Sequence, residues 1–426
     1  AYADSDIENR LRARLLGDLS FSGHDTAYAS HNTHAFAAKF PPQLPRAFIE
    51  ELTDAGEVVL DPMAGSGTAL VEAAMAGRIG IGIDLDPLAV AICSAKTNFL
   101  DPEAVALLGE GVSDYARLIL ANEGPGYHEK SLSGFDDESR KFIQYWFEAG
   151  TICELAALRE AIEKLVEHPY RRLFDVVFSS IIITKSGGVS LARDLAHTRP
   201  HKVTDKRIKN AVDVFREKLE KVNRALVSAA DWPGTAHVLR SDSRSLPLGN
   251  ETADLIVTSP PYANAIDYMR AHKFSLVWLG HAVGTLSKMR RTYIGAELPL
   301  EDGGAMGSET YQRVMKDLLD RDARRARVIV RYFHDMLIVL GEIYRVSRKG
   351  RSAIVVVGSS TVRGIEIPTA LILAELGERM GFRLVGVKDR PIDRNRRLMP
   401  ISRASDKMGI EARMHGEQVI AFTKPG

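Results

Sequence analysis

Val58-Val59-Leu60-Asp61-Pro62-Met63-Ala64-Gly65-Ser66-Gly67-Thr68, running into the helical pattern Ala69 to Met75, is the stretch that decides the fold. Apolar residues ending in an acid read as a short buried strand, and the glycine turn after them leads into a helix start. Together they form the first strand–helix unit of a nucleotide-binding sheet. Gly65 and Gly67 let the backbone come close to a ligand at the helix N-terminus. A phosphate is the poorer ligand for this turn. A Walker loop needs a lysine after the second glycine, where the chain has Thr68-Ala69-Leu70, and the dinucleotide fingerprint needs a small residue where Leu70 stands. Gly80-Ile81-Gly82-Ile83-Asp84 then reads as a second strand. Its terminal acid falls about twenty residues on, the spacing of a carboxylate that grips ribose hydroxyls. Asp86 reads as the cap of a helix beginning at Pro87.

The next apolar strand that ends in polar chemistry is Ala253 to Val257, which runs into Thr258-Ser259-Pro260-Pro261-Tyr262. Two consecutive prolines have no N–H to donate and fix φ, so the strand stops in a rigid turn with free carbonyls. A hydroxyl, those carbonyls and an aromatic ring are presented at the C-terminal edge of a strand, where open parallel sheets bind ligands. The set suits a planar ring carrying an amino group: Ser259 and the carbonyls accept from the amine, and Tyr262 stacks on the ring. Upstream of the first motif, His31 to Pro42 holds Phe36, Lys39 and Phe40 and is read as wrapping the same ligand or as plain packing. Ala236 to Leu239 is a further strand, and the Asp242-Ser243-Arg244 turn after it offers an acceptor to a purine amine.

With 426 residues the chain exceeds one ordinary core, so two domains or one domain with a large insertion are expected. Between Asp101 and Trp232 the texture is helical: Leu155, Leu158, Ile162 and Leu165, and Ile208, Val212, Phe215, Leu219, Val222 and Leu226, fall at helical spacing and predict core stripes. The division expected is an N-terminal arm or helix over 1–25, the cofactor part of the sheet over 26–100, a helical insertion over 101–234, and the catalytic part over 235–426. A single helix is predicted from Tyr311 to about Val346, and two C-terminal strands joined by a basic loop predict an antiparallel edge.

Net charge is only +1, so any polyanion surface must be local. Candidate phosphate contacts are Lys185, Arg193, His197, Arg199 and Lys202 in a cation- and glycine-rich loop, Arg290 and Arg291, and Arg394, Arg396 and Arg397. A solvated connector is the competing reading of the first loop. Two well-separated cysteines, Cys93 and Cys153, argue against a disulfide framework or a zinc site and for reduced thiols. No secretory segment opens the sequence and no apolar run is long enough to span a bilayer, which predicts a cytoplasmic protein with no membrane partner. The sequence begins at Ala1 rather than methionine, which leaves room for residues upstream.

The combined pattern resembles the S-adenosylmethionine-dependent DNA amino-methyltransferases, most closely the N4-cytosine group. Asp61 to Thr68 is similar to that family's cofactor motif, Thr258 to Tyr262 to its catalytic motif, and His34 to Pro42 to its third cofactor-contacting motif. The resemblance implies a Rossmann-like, doubly wound α/β methyltransferase sheet, mostly parallel with an antiparallel edge strand, plus a helical insertion. It implies S-adenosylmethionine bound by Phe36, Lys39, Phe40, Asp61, Pro62, Ala64, Gly65, Ser66, Gly67, Thr68, Asp84, Asp242 and Thr258. Ser259, Pro260, Pro261 and Tyr262 are the implied catalytic set. DNA is the implied partner, a cognate restriction enzyme a second one, and no metal is called for. Serine at 259, where adenine-specific relatives usually carry Asp or Asn, favours cytosine N4. Adenine N6, an RNA amine, a small-molecule or peptide acceptor, and a non-catalytic binding module are the alternatives. The large insertion precedes the strand ending near Asp242, a departure from the family's usual motif order.

Overall fold

The computed structural model describes residues 2–124, 126–184, 186, 188–193, 200–227, 231–263, 267–296, 298–300, 306–391 and 416–426. Two helices, α1 (Tyr2–Leu16) and α2 (Gln43–Leu52), precede β1 (Val58–Asp61), α3 (Thr68–Met75), β2 (Ile79–Asp84) and α4 (Pro87–Thr97). The insertion follows: α5 (Pro102–Asn122), α6 (Tyr127–Leu132), α7 (Asp137–Trp146), α8 (Ala149–Leu165), α9 (Arg171–Ile182), the small hairpin β3 (Ala192–Arg193) and β4 (His201–Lys202), and α10 (Ala211–Val227). The sheet resumes with β5 (Thr235–Arg240) and β6 (Ala253–Thr258). After α11 (Tyr268–Leu276), α12 (Val283–Arg290), α13 (Glu309–Arg321) and α14 (Ala323–Val346) come β7 (Ser347–Gly358) and a second small hairpin, β8 (Ser360–Val362) and β9 (Ile365–Ile367). Helix α15 (Thr369–Arg379), β10 (Arg383–Pro391) and β11 (Gly416–Thr423) end the chain.

The main sheet has the order β10-β11-β7-β6-β1-β2-β5. All pairings from β7 to β5 are parallel, and β11 is antiparallel to both its neighbours. This is the expected doubly wound α/β sheet. The reversed strand lies one place inside the edge, because the crossover through α15 sets β10 one strand-width beyond β7 and the return strand fills the gap. Side chains on the central strands alternate between two cores, as a pleated strand covered on both faces requires. Leu255 and Val257 pack under α1, α2 and α3, whereas Ile256 packs on the other face with α14 and α15. The N-terminal helix is therefore no free arm: Leu11, Leu15 and Leu19 are buried against Val385 and Val419.

Two further expectations are corrected. The helix predicted from Tyr311 to Val346 breaks at Asp322, whose φ of −156° is extended and whose carboxylate accepts from the Arg325 N–H to cap α14. Leu165, at the end of its stripe, is 37% exposed, while Leu155, Leu158 and Ile162 are buried as expected. The insertion shares one core with the sheet layer: Leu155, Phe174 and Phe215 pack in the same cluster as Leu88 and Ile92 of α4 and Phe274 and Trp278. His34 reinforces the joint. Its Nε2 lies 2.9 Å from Ser179 Oγ on α9, which donates to Ser275 Oγ on α11 at 2.8 Å. Burial pushes the His34 imidazole down to about 3, so it stays neutral.

Candidate functional site: a cofactor cleft at the switch point

The sheet order reverses between β1 and β6, and the loops leaving these two strands part to open a cavity at their C-terminal ends, where the switch-point rule places a ligand. Of the expected cofactor residues, Phe36, Lys39, Phe40, Asp61, Ala64, Gly65, Ser66, Thr68, Asp84 and Asp242 line it, and Ser259 and Pro261 of the proline turn stand on the same wall. The two motifs, almost two hundred residues apart in sequence, are joined directly: Thr258 Oγ1 donates to Asp61 Oδ1 at 2.7 Å. Pro62, Gly67, Thr258, Pro260 and Tyr262 are not on the wall. Pro62 serves through its carbonyl, which accepts from Ser243 Oγ at 2.7 Å and ties the β1 loop to the β5 loop.

Backbone geometry explains both turn glycines. Gly65 has φ +50°, and a Cβ there would lie 3.1 Å from the Phe36 ring. Gly67 has φ +74° and sits so close to α4 that a Cβ would meet Cys93 Sγ at 2.8 Å. Beneath the turn, the buried Lys96 ammonium donates to the Ser66 carbonyl at 2.7 Å. Burial lowers Lys96 to about 7. Beside it His31 Nε2 lies 2.6 Å from Glu72 Oε1, which also accepts from the Tyr28 hydroxyl at 2.7 Å. Sequence patterning gave no sign of this polar floor, because its members come from three separate segments.

Two carboxylates set the electrostatics of the cavity. Asp61 is 2% exposed and burial pushes it up to about 7; Asp84, partly exposed along the wall, is pushed up to about 6 for the same reason, with the Asp86 charge adding to it. Asp84 accepts from the Gly65 N–H at 2.8 Å and the Asp86 N–H at 2.9 Å. Neither has an ion pair among the described residues. Uncompensated acids of this kind oppose a phosphate and favour a ligand that brings hydroxyls and positive charge. An adenosine carrying a cationic amino-acid tail fits those acceptors.

Asp86 does cap α4, as expected, with Oδ1 accepting from Leu88 and Ala89. Its Oδ2 faces His272 Nδ1 at 2.7 Å, and although burial alone would raise it, this neighbour and the cap hold it below the ordinary carboxylate range. Of the remaining wall, Asp267 and Tyr268 were not expected from the sequence. Tyr268 stacks on Phe36 with ring centroids 5.4 Å apart, and Asp267 pairs with Arg270 at 2.7 Å and Arg290 at 2.6 Å. Arg244 holds both oxygens of Asp242, at 2.9 and 2.6 Å, reaches Asp335 at 2.9 Å, and donates to the Thr292 carbonyl at 2.8 Å. The segment from Thr292 to Ala296 is thereby drawn over the cavity. The only forward signal was proximity: Arg244 follows Asp242 by two residues, and Asp267 and Tyr268 follow the proline turn closely.

Tyr262 departs from its expected place. It is 6% exposed, off the cavity wall, and its hydroxyl donates to Glu417 Oε1 at 2.9 Å. A platform for an incoming ring needs an open face, which this position does not offer. Among the expected nucleic-acid contacts, Arg193 and Arg291 are exposed, Lys202 sits 4.4 Å from the Tyr145 ring centroid, and Arg290 is committed to Asp267. Lys185, His197, Arg199, Arg394, Arg396 and Arg397 lie outside the described residues. Nearby, Lys206 was missed: its ammonium donates to the carbonyls of Gly188 and Ser190 at 2.7 and 2.6 Å and gathers that loop. No helix of the described residues is long and apolar enough to cross a membrane.

The sheet with its one reversed strand, the glycine turn over α3 and the acid-lined cleft fit the doubly wound fold and the S-adenosylmethionine site expected from the sequence. Residues 20–94 match a family described as DNA methylase. The chain is similar to the Type II methyltransferase M.MvaI of Kocuria varians, at 25% identity over 95% of this chain and 93% of that one. It is also similar to M.AvaI of Nostoc sp., at 24% identity over 76% and 73%, and to M.BsoBI of Geobacillus stearothermophilus, at 21% identity over 84% and 79%. The sequence likeness supports an S-adenosylmethionine-dependent DNA methyltransferase.

Proposed function

We propose that this protein methylates the exocyclic N4 of cytosine in DNA. The observation that carries the reading is the placement of Ser259 and Pro261 on one wall with the Asp61 to Thr68 turn, the two motifs being bonded through Thr258 and Asp61. Asp84 is the group to hold the ribose hydroxyls, with Phe36, Phe40 and Tyr268 supplying apolar surface and Asp61 facing the positive end. S-adenosylmethionine, when bound, supplies an electrophilic methyl group on a sulfonium.

An exocyclic amine is a poor nucleophile because its lone pair is delocalised into the ring. A hydrogen bond from the amine to the Ser259 hydroxyl favours a pyramidal nitrogen and stabilises the positive charge that grows on it. Ser259 is a weak base at neutral pH, so the nitrogen loses its proton after the transfer. Holding the amine and its acceptor in one place supplies much of the acceleration. A base in a duplex must leave the stack to reach the cleft, and Arg193 and Arg291, exposed cations, are candidates to meet the phosphates on either side. Serine rather than a carboxylate or amide at 259 supports cytosine over adenine. A restriction endonuclease cutting the same site is the partner such a modification would guard against.

Ser259→Ala tests the assignment of roles. It removes one acceptor at the reacting amine and is expected to cut kcat roughly 10- to 100-fold while the affinity for S-adenosylhomocysteine stays within about twofold. Loss of cofactor affinity with kcat retained would place Ser259 in the cofactor half instead.

A further inference from the structure

Tyr262 ends a chain of buried polar groups that the reaction itself does not use. Glu417, 6% exposed, accepts from the Tyr262 hydroxyl with Oε1, and with Oε2 it pairs with the Arg390 guanidinium. Arg390, 5% exposed, stands opposite Glu417 in the β10–β11 ladder and donates through Nε to the Leu19 carbonyl at 2.6 Å. On its other side Glu417 is in register with Gly358, the last residue of β7. The pair therefore sits at the same end of the sheet as the cleft, Glu417 two strands and Arg390 three strands beyond β6, which carries the proline turn.

A buried ion pair costs desolvation that an apolar pair of the same shape avoids, so its stability value alone does not account for it. Its geometry fixes something else. The turn is pinned at its start, where Thr258 donates to Asp61 at 2.7 Å, and at its end, where Tyr262 donates to Glu417 at 2.9 Å. Ser259 lies between the pins, on the cavity wall. We infer that Glu417, held by Arg390, is a positioning residue for catalysis: through the Tyr262 hydroxyl it sets the height of the Ser259 to Pro261 turn over the cofactor loop. The inference rests on the amine-methylation reading of the same turn.

Tyr262→Phe is the decisive variant, since it removes one oxygen and keeps the ring. Single-turnover methyl transfer to DNA is compared among wild type, Tyr262→Phe, Glu417→Gln and the double variant, with S-adenosylhomocysteine affinity measured alongside. Tyr262→Phe is expected to slow transfer roughly 10- to 100-fold, the size of effect a small misplacement of a reacting group produces, with cofactor affinity unchanged. The double variant is expected to be no slower than the slower single one, because both cut the same link. Wild-type transfer by Tyr262→Phe overturns the inference, as do effects that multiply or a loss confined to cofactor binding. Hydrogen–deuterium exchange supplies a readout independent of activity: faster exchange in 258–263 with 61–68 unchanged supports the link, and no change in 258–263 refutes it. A wild-type protein that transfers no methyl to DNA would sink the functional reading instead, and the exchange result would then decide the inference alone.

Discussion

Replacing Asp84 by Asn tests the electrostatic logic of the cleft at its most sensitive point. The carboxylate is on the wall, receives the Gly65 and Asp86 N–H groups, and is pushed up to about 6 chiefly by burial. In the proposed function its remaining lone pairs accept from two ribose hydroxyls. A hydrogen bond to a charged group is worth about 1.5–3 kcal/mol, roughly twice a neutral one. An amide keeps one acceptor and loses the charge, so about 2–3 kcal/mol should vanish, or roughly 30- to 150-fold in affinity. Calorimetric titration with S-adenosylhomocysteine at pH 8 measures it. The sign of the pH dependence follows from the same group. A ligand that donates to the carboxylate binds its ionised form, so wild-type affinity should strengthen as pH rises toward about 6, and Asp61, pushed up to about 7, should add a second rise before the curve levels. In Asp84→Asn one rise should be gone, and the one that remains, from Asp61 freed of the Asp84 charge, should move to lower pH. Affinity unchanged by the substitution, or a wild-type curve flat from pH 5 to pH 8, would refute the reasoning.

Thr258→Val keeps the shape of a fully buried side chain and removes the donor that holds the Asp61 carboxyl down; one lost hydrogen bond of about 1.4 kcal/mol predicts a roughly tenfold fall in S-adenosylhomocysteine affinity near neutral pH, with the upper rise of the affinity curve moved to higher pH in calorimetric titration. Gly67→Ala combines a left-handed φ of +74° with a Cβ 2.8 Å from Cys93 Sγ and 3.2 Å from Cys93 Cα. It should cost about 2–4 kcal/mol of stability, read as a lower urea midpoint, since neither backbone nor helix α4 can yield cheaply.

What could be read from the sequence was whatever local chemistry dictates. The turn at Gly65 and Gly67, the acid ending β2 and the Asp86 cap are each specified within a few residues, and all stand where expected. The prolines ended β6 as their missing donors require, and Ser259 reached the cleft. Long-range groupings were not legible. Arg244 reaches Asp335 and Thr292, and His31 finds Glu72, only because packing of separate segments brings them together. Tyr262 was misplaced for the same reason: an aromatic after a proline turn reads as a platform, while its partner Glu417 lies 155 residues away and commits its hydroxyl. The break at Asp322 shows the reverse case. The predicted helix ran through a residue whose side chain competes with the helix backbone and caps the next helix instead.

Incubating the protein with DNA and methyl-labelled S-adenosylmethionine, digesting the DNA to nucleosides and separating them by mass spectrometry tests the central claim most directly. The label should appear in N4-methylcytosine and depend on Ser259. Label found only in N6-methyladenine would contradict the cytosine assignment, and DNA left unlabelled while RNA takes the methyl would contradict the substrate altogether.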